Sequence, residues 1–152
     1  KYSKKIMLKI LVMGLPGSGK TTLTKEIKKK IKCHWLNADK VRKKFKDWDF
    51  SKKGVLRQAR RMKQLANKSR NKIIIADFIC PYREGRRIFN PDFIIWMDTI
   101  KKGRLSTFDK TFQNPKKFDL KIKTKNLRIN KSKVIKFLKK LEAENKNIFN
   151  FS

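Results

Sequence analysis

The chain has 152 residues, 39% of them hydrophobic with 11 Phe and 3 Trp, which suits one domain with a packed core and does not read as disorder. Its 43 Lys and Arg against 12 Asp and Glu leave a net charge of +31, a field that concentrates anionic partners. No apolar run approaches the ~20 residues of a membrane span, and two cysteines with no C-x-x-C suggest neither a zinc site nor a disulfide framework.

The elements alternate along the chain. Residues 6–13 are a nearly continuous apolar run, as expected of a central parallel strand buried on both faces. The lysines before it imitate a secretion signal, but Lys9 interrupts the run, and Gly-Leu-Pro-Gly stands where a small-residue cleavage site would lie. A reducing cytoplasm is the expected compartment. Residues 21–31 place Leu23, Ile27 and Ile31 on one helical face. Cys33 is expected to pack near the start of a second strand at 35–38, with His34 an ordinary polar neighbour, and a brief helix follows at 41–45. Residues 51–69 carry Val55, Ala59, Met62 and Ala66 at helical spacing. "KIIIA" (72–76) is a third strand, 81–88 a short helix and "FIIWM" (93–97) a fourth strand. Residues 99–116, polar and weakly periodic, read as a shortened lid. Phe118, Leu120, Ile122 and Thr124 alternate with polar residues, as in an edge strand with one solvated face. Residues 132–145 present Val134, Leu138 and Leu141 on one helical face, and the tail either frays or docks through Phe149 and Phe151. This order predicts an α/β fold, a P-loop NTPase three-layer sandwich with a mainly parallel sheet flanked by helices, with residues 1–152 as a single domain.

"GLPGSGKT" matches G-x-x-x-x-G-K-[ST] at Gly14, Gly19, Lys20 and Thr21, between an apolar strand and an amphipathic helix, the context the motif requires. Gly14, Gly17 and Gly19 permit the backbone angles and close approach that a Cβ would block. The segment Gly14, Leu15, Pro16, Gly17, Ser18, Gly19, Lys20, Thr21 and Thr22 is therefore the expected ATP-binding loop. Its amides form an anion nest at a helix N-terminus. Lys20 reaches the β- and γ-phosphates, and the Thr21 hydroxyl is offered to Mg²⁺.

A cradle names a phosphate donor and no acceptor. "WLNADKVR" (35–42) follows at the C-terminal end of the second strand, where open α/β sheets place ligands. Asp39 and Arg42 share one side of a helical turn. A carboxylate there accepts a hydroxyl proton or holds Mg²⁺, and an Arg clamps phosphate or sulfate. The alternative is an Asp N-cap with a solvated Arg. Asp77 ends the third strand where a Walker-B Asp would lie, as a Mg²⁺ or acceptor contact or as a turn residue. Asp98 ends the fourth strand in a similar way.

The ordered set G-L-P-G-S-G-K-T-T-L, L-N-A-D-K-V-R, D-F-S, R-R-M and F-I-C-P-Y-R, running from about Ile10 to Arg87, resembles the adenylyl-sulfate kinase family. That family moves the γ-phosphate of ATP to the 3′-hydroxyl of adenylyl sulfate. The resemblance implies ATP and Mg²⁺ as cofactors and a small anionic nucleotide as partner, and a homodimer would fit it. Lys20 and Asp39 become the catalytic residues, with Asp39 beside the acceptor hydroxyl. Arg42 matches a phosphosulfate contact, and Phe50 an aromatic that stacks on the acceptor's adenine. Gln58 stands where the family has Asn. Ile79 and Cys80 occupy an Ile-Ser position, followed by Pro81, Tyr82 and Arg83. Lys101, Lys102 and Arg104 are the lid cations, and Phe112 an aromatic near the acceptor. Thr21 is the expected Mg²⁺ ligand from the cradle motif, joined by Asp39 on the resemblance and by Asp77 on its strand-end position and not on the resemblance.

The chain also departs from the pattern. The family's Asp-Gly-Asp-Asn is Asn37-Ala38-Asp39-Lys40 here, an expected Arg is Val55, and the lid is reduced. The alternatives are a P-loop kinase of another small hydroxyl substrate or of a nucleic-acid 5′-end, and a basic nucleotide-regulated nucleic-acid-binding module. Lys outnumbers Arg and is spread along the whole chain, as in a compositional bias. A surface selected for polyanions would instead cluster Arg with aromatics.

Overall fold

The computed structural model describes residues 7–104, 106–145, 148–149 and 151. Its strands are β1 (Leu8–Met13), β2 (His34–Asn37), β3 (Ile73–Asp77), β4 (Phe93–Met97) and β5 (Leu120–Ile122). They pair in parallel in the order β2-β3-β1-β4-β5. The first position of the expected strand, residue 6, lies outside the described residues. The helices are α1 (Lys20–Lys28), α2 (Ala38–Phe45), α3 (Lys52–Lys68), α4 (Arg83–Phe89) and α5 (Leu127–Asn145).

Successive side chains of a strand point to opposite faces, so burying both faces requires apolar residues at every position. Ile10 and Val12 join Ile73, Ile75, Ile95 and Met97 under Leu23 and Ile27 of α1 and Val134 and Leu138 of α5. Leu11 and Met13 join Ile74, Ala76 and Trp96 under Ala59, Met62 and Ala66 of α3 and Phe89 of α4. Three layers result, α1 and α5 on one side of the sheet and α2, α3 and α4 on the other.

Lys9 sits buried within β1 without breaking it. Its ammonium lies 5.0 Å from the centre of the Phe89 ring and donates to the Phe89 carbonyl at the end of α4. An orphan helix-terminal carbonyl and a buried cation thus satisfy each other.

Local chemistry explains the ends of the helices. Asn37 caps α2, one turn earlier than the periodicity suggests, by accepting from the Lys40 amide at 3.0 Å. Ser51, read as part of the helix, caps α3 by accepting from the Gly54 amide. α5 begins at Leu127, ahead of the apolar stripe at 132–145, because Asn126 accepts from the Ile129 amide and the buried Asn130 donates to the Thr124 carbonyl. A first turn held by polar bonds leaves no hydrophobic period to read. β5 is the edge strand anticipated, but only three residues long. Ile122 is fully buried, while Phe118 stays 42% exposed. The tail docks: Phe149 is fully buried, and Phe151 bridges Ile31 in antiparallel fashion.

Leu138 joins α5 to the sheet face opposite α3 and is fully buried. Leu138→Ala is expected to lower unfolding stability by about 2–5 kcal/mol, read as a lower midpoint in urea.

Candidate active site

The strand order leaves β1 between β3 and β4, and the loops leaving the C-terminal ends of β1, β2 and β3 meet over one cavity of about 930 Å³. The turn after β1 is tight. A Cβ on Gly14 would lie 2.6 Å from the Met97 carbonyl oxygen and 2.8 Å from Ser18 Oγ, so no side chain fits there. Gly17 and Gly19 sit at φ 88° and 100°, and the Arg104 side chain crosses directly over Gly17. The Lys20 ammonium folds back to donate to the carbonyls of Gly14 and Leu15, each at 3.0 Å. Gly17, Gly19, Lys20, Thr21 and Thr22 line the cavity. Leu15 instead packs into an apolar cluster with Val55 and Phe108. Ser18 is buried, with no hydrogen bond to its hydroxyl among the described residues.

Burial pushes the Lys20 ammonium down to about 8 from 10.5. Asp77 and Asp39 pull it back up, and Arg104 lowers it further.

Asp77 ends β3 and pairs in register with Asn37 at the end of β2. Its carboxylate accepts from Trp35 Nε1 at 2.7 Å, Asn37 Nδ2 at 3.1 Å and the Thr21 hydroxyl at 3.3 Å. Asn37 Nδ2 also donates to Thr21 Oγ1 at 3.2 Å. Burial raises the Asp77 pKa, with these donors and Lys20 opposing the rise. The hydroxyl of Thr21 and the carboxylate of Asp77 therefore stand together beside the cradle, hard oxygen donors of the kind Mg²⁺ takes. The N-cap role offered as the alternative for Asp39 belongs to Asn37 instead. Asp39 lies exposed on the first turn of α2 and lines the cavity across from the cradle.

Arg42 is 4% exposed and more occupied than a free clamp would be. One terminal nitrogen donates to the carbonyls of Asp47 and Asp49, at 2.8 and 3.2 Å, and the guanidinium lies 4.4 Å over the Phe50 ring. Asp47 in turn accepts from Arg57 at 2.7 and 3.0 Å and from Arg61 at 2.7 Å, which hold its carboxyl well below the usual range. Arg61 is thus an ion-pair partner of Asp47.

Gln58 is buried and donates to the Ala38 carbonyl at 3.1 Å. Its side-chain oxygen has no partner among the described residues. Ile79 and Cys80 line the cavity. Cys80 adopts φ 46°, and burial lifts its thiol to about 12.

Arg83 opens α4, is exposed and does not line the cavity. The buried cation of that loop is Arg86, which donates to the carbonyls of Cys80, Pro81 and Gln113. Lys101 and Lys102 are exposed and away from the cavity lining, which Arg104 joins. The lid segment is stitched down. Thr99 donates to the Ser18 carbonyl at 2.7 Å, the Arg104 amide to Pro16 at 3.0 Å and the Gln113 amide to Pro81 at 2.8 Å. Phe108 buries beneath it, beside Val55. Leu105, within the expected lid, lies outside the described residues. Phe112 packs under Arg86, 5.6 Å from its guanidinium.

Sequence reasoning passed over Trp48, Arg86 and Phe108. Their signals are weak, since an Arg in a basic helix and aromatics in a loop resemble their neighbours until the loops close.

The family model described as adenylylsulphate kinase matches residues 7–92. No curated protein matches the chain at a significant level. The Mycobacterium tuberculosis APS kinase solved with AMPPNP and APS shares this fold at TM-score 0.69 and 21% identity, covering 88% of this chain and 98% of that one. A gluconokinase from Sinorhizobium meliloti matches at TM-score 0.65 and 15% identity, covering 93% and 97%. The Acinetobacter baumannii shikimate kinase, solved with shikimate, matches at 0.61 and 14%, covering 94% and 97%.

A bound triphosphate restores the charged form of Lys20. ATP affinity is therefore expected to be flat below about pH 8, where the free protein already carries the proton. Above it, affinity should fall by up to about tenfold per pH unit, as binding must take up a proton. Calorimetry in buffers of differing ionisation enthalpy reads that uptake, which should appear above about pH 8 and be absent well below it.

Proposed function

We propose, from the premise that this chain belongs to the adenylylsulphate kinase family, that its kinase-type phosphotransfer carries the γ-phosphate of ATP to the 3′-hydroxyl of adenylyl sulfate. The observation that carries the reading is the single cavity shared by the cradle, Asp39 and the aromatic loop ending at Phe50. Its volume of about 930 Å³ lies at the upper end of what ligand pockets take, room for a donor and an acceptor.

The roles follow from position. Backbone amides from Gly17 to Thr21 hold the phosphates, and Lys20 neutralises charge on the transferring group. Thr21 and Asp77, with Asp39 opposite, are the oxygens that would hold Mg²⁺. When bound, that ion supplies charge neutralisation to the phosphoryl oxygens. Asp39 orients the acceptor hydroxyl and accepts its proton. Arg42 keeps its remaining nitrogens for an anionic acceptor group, and Arg104 covers the phosphates from above Gly17. The stitched lid excludes water from the transfer.

The direct test is ADP release from Mg·ATP with adenylyl sulfate, run beside shikimate and gluconate. Turnover with adenylyl sulfate is expected, and turnover only with another alcohol would overturn the acceptor assignment. Lys20→Ala is expected to lose ATP binding. Asp39→Asn is expected to bind both ligands while kcat falls by about 10²-fold or more.

A further inference from the structure

Each peptide plane between Pro16 and Lys20 is pinned by a hydrogen bond. The Pro16 carbonyl accepts from the Arg104 amide at 3.0 Å, the Ser18 amide donates to the Leu15 carbonyl at 3.1 Å, and the Gly19 carbonyl accepts from the Leu23 amide at 3.0 Å. These are backbone bonds, independent of the side chains that stand there. The peptide between Ser18 and Gly19 differs. A side chain holds it, the Thr99 hydroxyl donating to the Ser18 carbonyl at 2.7 Å.

Nothing within the loop holds that peptide in its place. It turns about ψ of residue 18 and φ of residue 19, and Gly19, at φ 100°, has no Cβ to bar the rotation. The Ser18 hydroxyl makes no hydrogen bond among the described residues. Thr99 itself stands on a firm base, two residues beyond β4. The Asp98 amide before it donates to the Ile122 carbonyl of β5 at 2.8 Å.

The carbonyl and the amide of a trans peptide point in opposite directions. Gly19 lines the cavity and Thr99 does not. A hydroxyl that draws the Ser18 carbonyl away from the cavity therefore turns the Gly19 amide toward it. That amide has no acceptor among the described residues.

We propose that Thr99 is a positioning residue for the phosphate donor: from outside the cavity, its hydroxyl aims the Gly19 amide at a bound phosphate. The inference rests on the reading of the cradle as the ATP site.

The test is calorimetric titration of Mg·AMPPNP into wild type, Thr99→Val and Thr99→Ser, with circular dichroism confirming that each is folded. Valine keeps the shape and loses the donor, and serine keeps the donor. Thr99→Val is expected to weaken AMPPNP by about tenfold, the scale of one hydrogen bond to a charged acceptor. Thr99→Ser should stay within about threefold of wild type. Amide NMR spectra give the signature that general loosening would not. On AMPPNP binding the Gly19 amide proton should move downfield in wild type and Thr99→Ser but not in Thr99→Val, while the Thr21 amide responds in all three. AMPPNP affinity of wild-type strength in Thr99→Val would overturn the inference and leave the ATP site standing. Equal losses in Thr99→Val and Thr99→Ser would overturn the hydroxyl as its basis. Should Thr99→Val not fold, a Gly19 amide that fails to respond to AMPPNP in wild type would overturn the inference by itself. A wild-type protein that binds no AMPPNP would overturn the ATP site and the inference together.

Discussion

A carboxylate taken out of water must be matched by donors, and in this fold the match at Asp77 is what joins the two halves of the site. Three donors reach it from two elements: Thr21 at the start of α1, and Trp35 and Asn37 along β2. The parallel register that sets Asn37 opposite Asp77 makes this possible. Asn37 then uses its remaining oxygen to start α2, which fixes where Asp39 and Arg42 stand. A slip of one residue between β2 and β3 would turn Asp77 and Asn37 to opposite faces. It would separate the cradle from the acceptor side and leave a charge buried without partners.

The loops around that centre are held by a second kind of constraint, arginines that bind backbone carbonyls. Arg42 holds the carbonyls of Asp47 and Asp49, and Arg86 holds those of Cys80, Pro81 and Gln113. A guanidinium suits this task because its fixed fork satisfies several acceptors with one side chain. Each of these arginines ties an irregular segment to a helix, α2 in one case and α4 in the other. The left-handed backbone at Cys80 is tolerable in that setting, since Arg86 and burial hold the loop from both sides.

Much of the fold was legible because burial on both faces of a parallel sheet imposes continuous apolar runs. "KIIIA" and "FIIWM" could hardly be anything but central strands. The cradle was legible for a different reason: Gly14 tolerates no Cβ and Lys20 follows at fixed spacing, so the chemistry is local in sequence. What escaped was long-range. The loop at Asp47 and Asp49 takes its form only when Arg57 and Arg61, from the next helix, close on Asp47. Arg83 and Arg86 look alike in "PYREGRR", and only the folded turn buries one and exposes the other. Val55, read as a missing arginine, fills the space beside Phe108 with apolar contact. The start of α5 was hidden because Asn126 and Asn130 set it with polar bonds that carry no hydrophobic period.

The charge of the chain also takes on a different sense once its carboxylates are placed. Cations outnumber acids 43 to 12 overall, yet Asp39 and Asp77 line the cavity and Asp47 and Asp49 brace its rim. Four of the twelve acids thus stand in the cavity or at its rim. That local balance keeps Lys20 from losing its proton to burial altogether, because Asp77 and Asp39 oppose the desolvation that lowers it. A cradle surrounded only by lysines would attract any polyanion. Here Asp39 and Asp77 stand in the same cavity as Lys20 and Arg42, so the sign of the charge changes over a few side chains within it, which the net charge alone does not show.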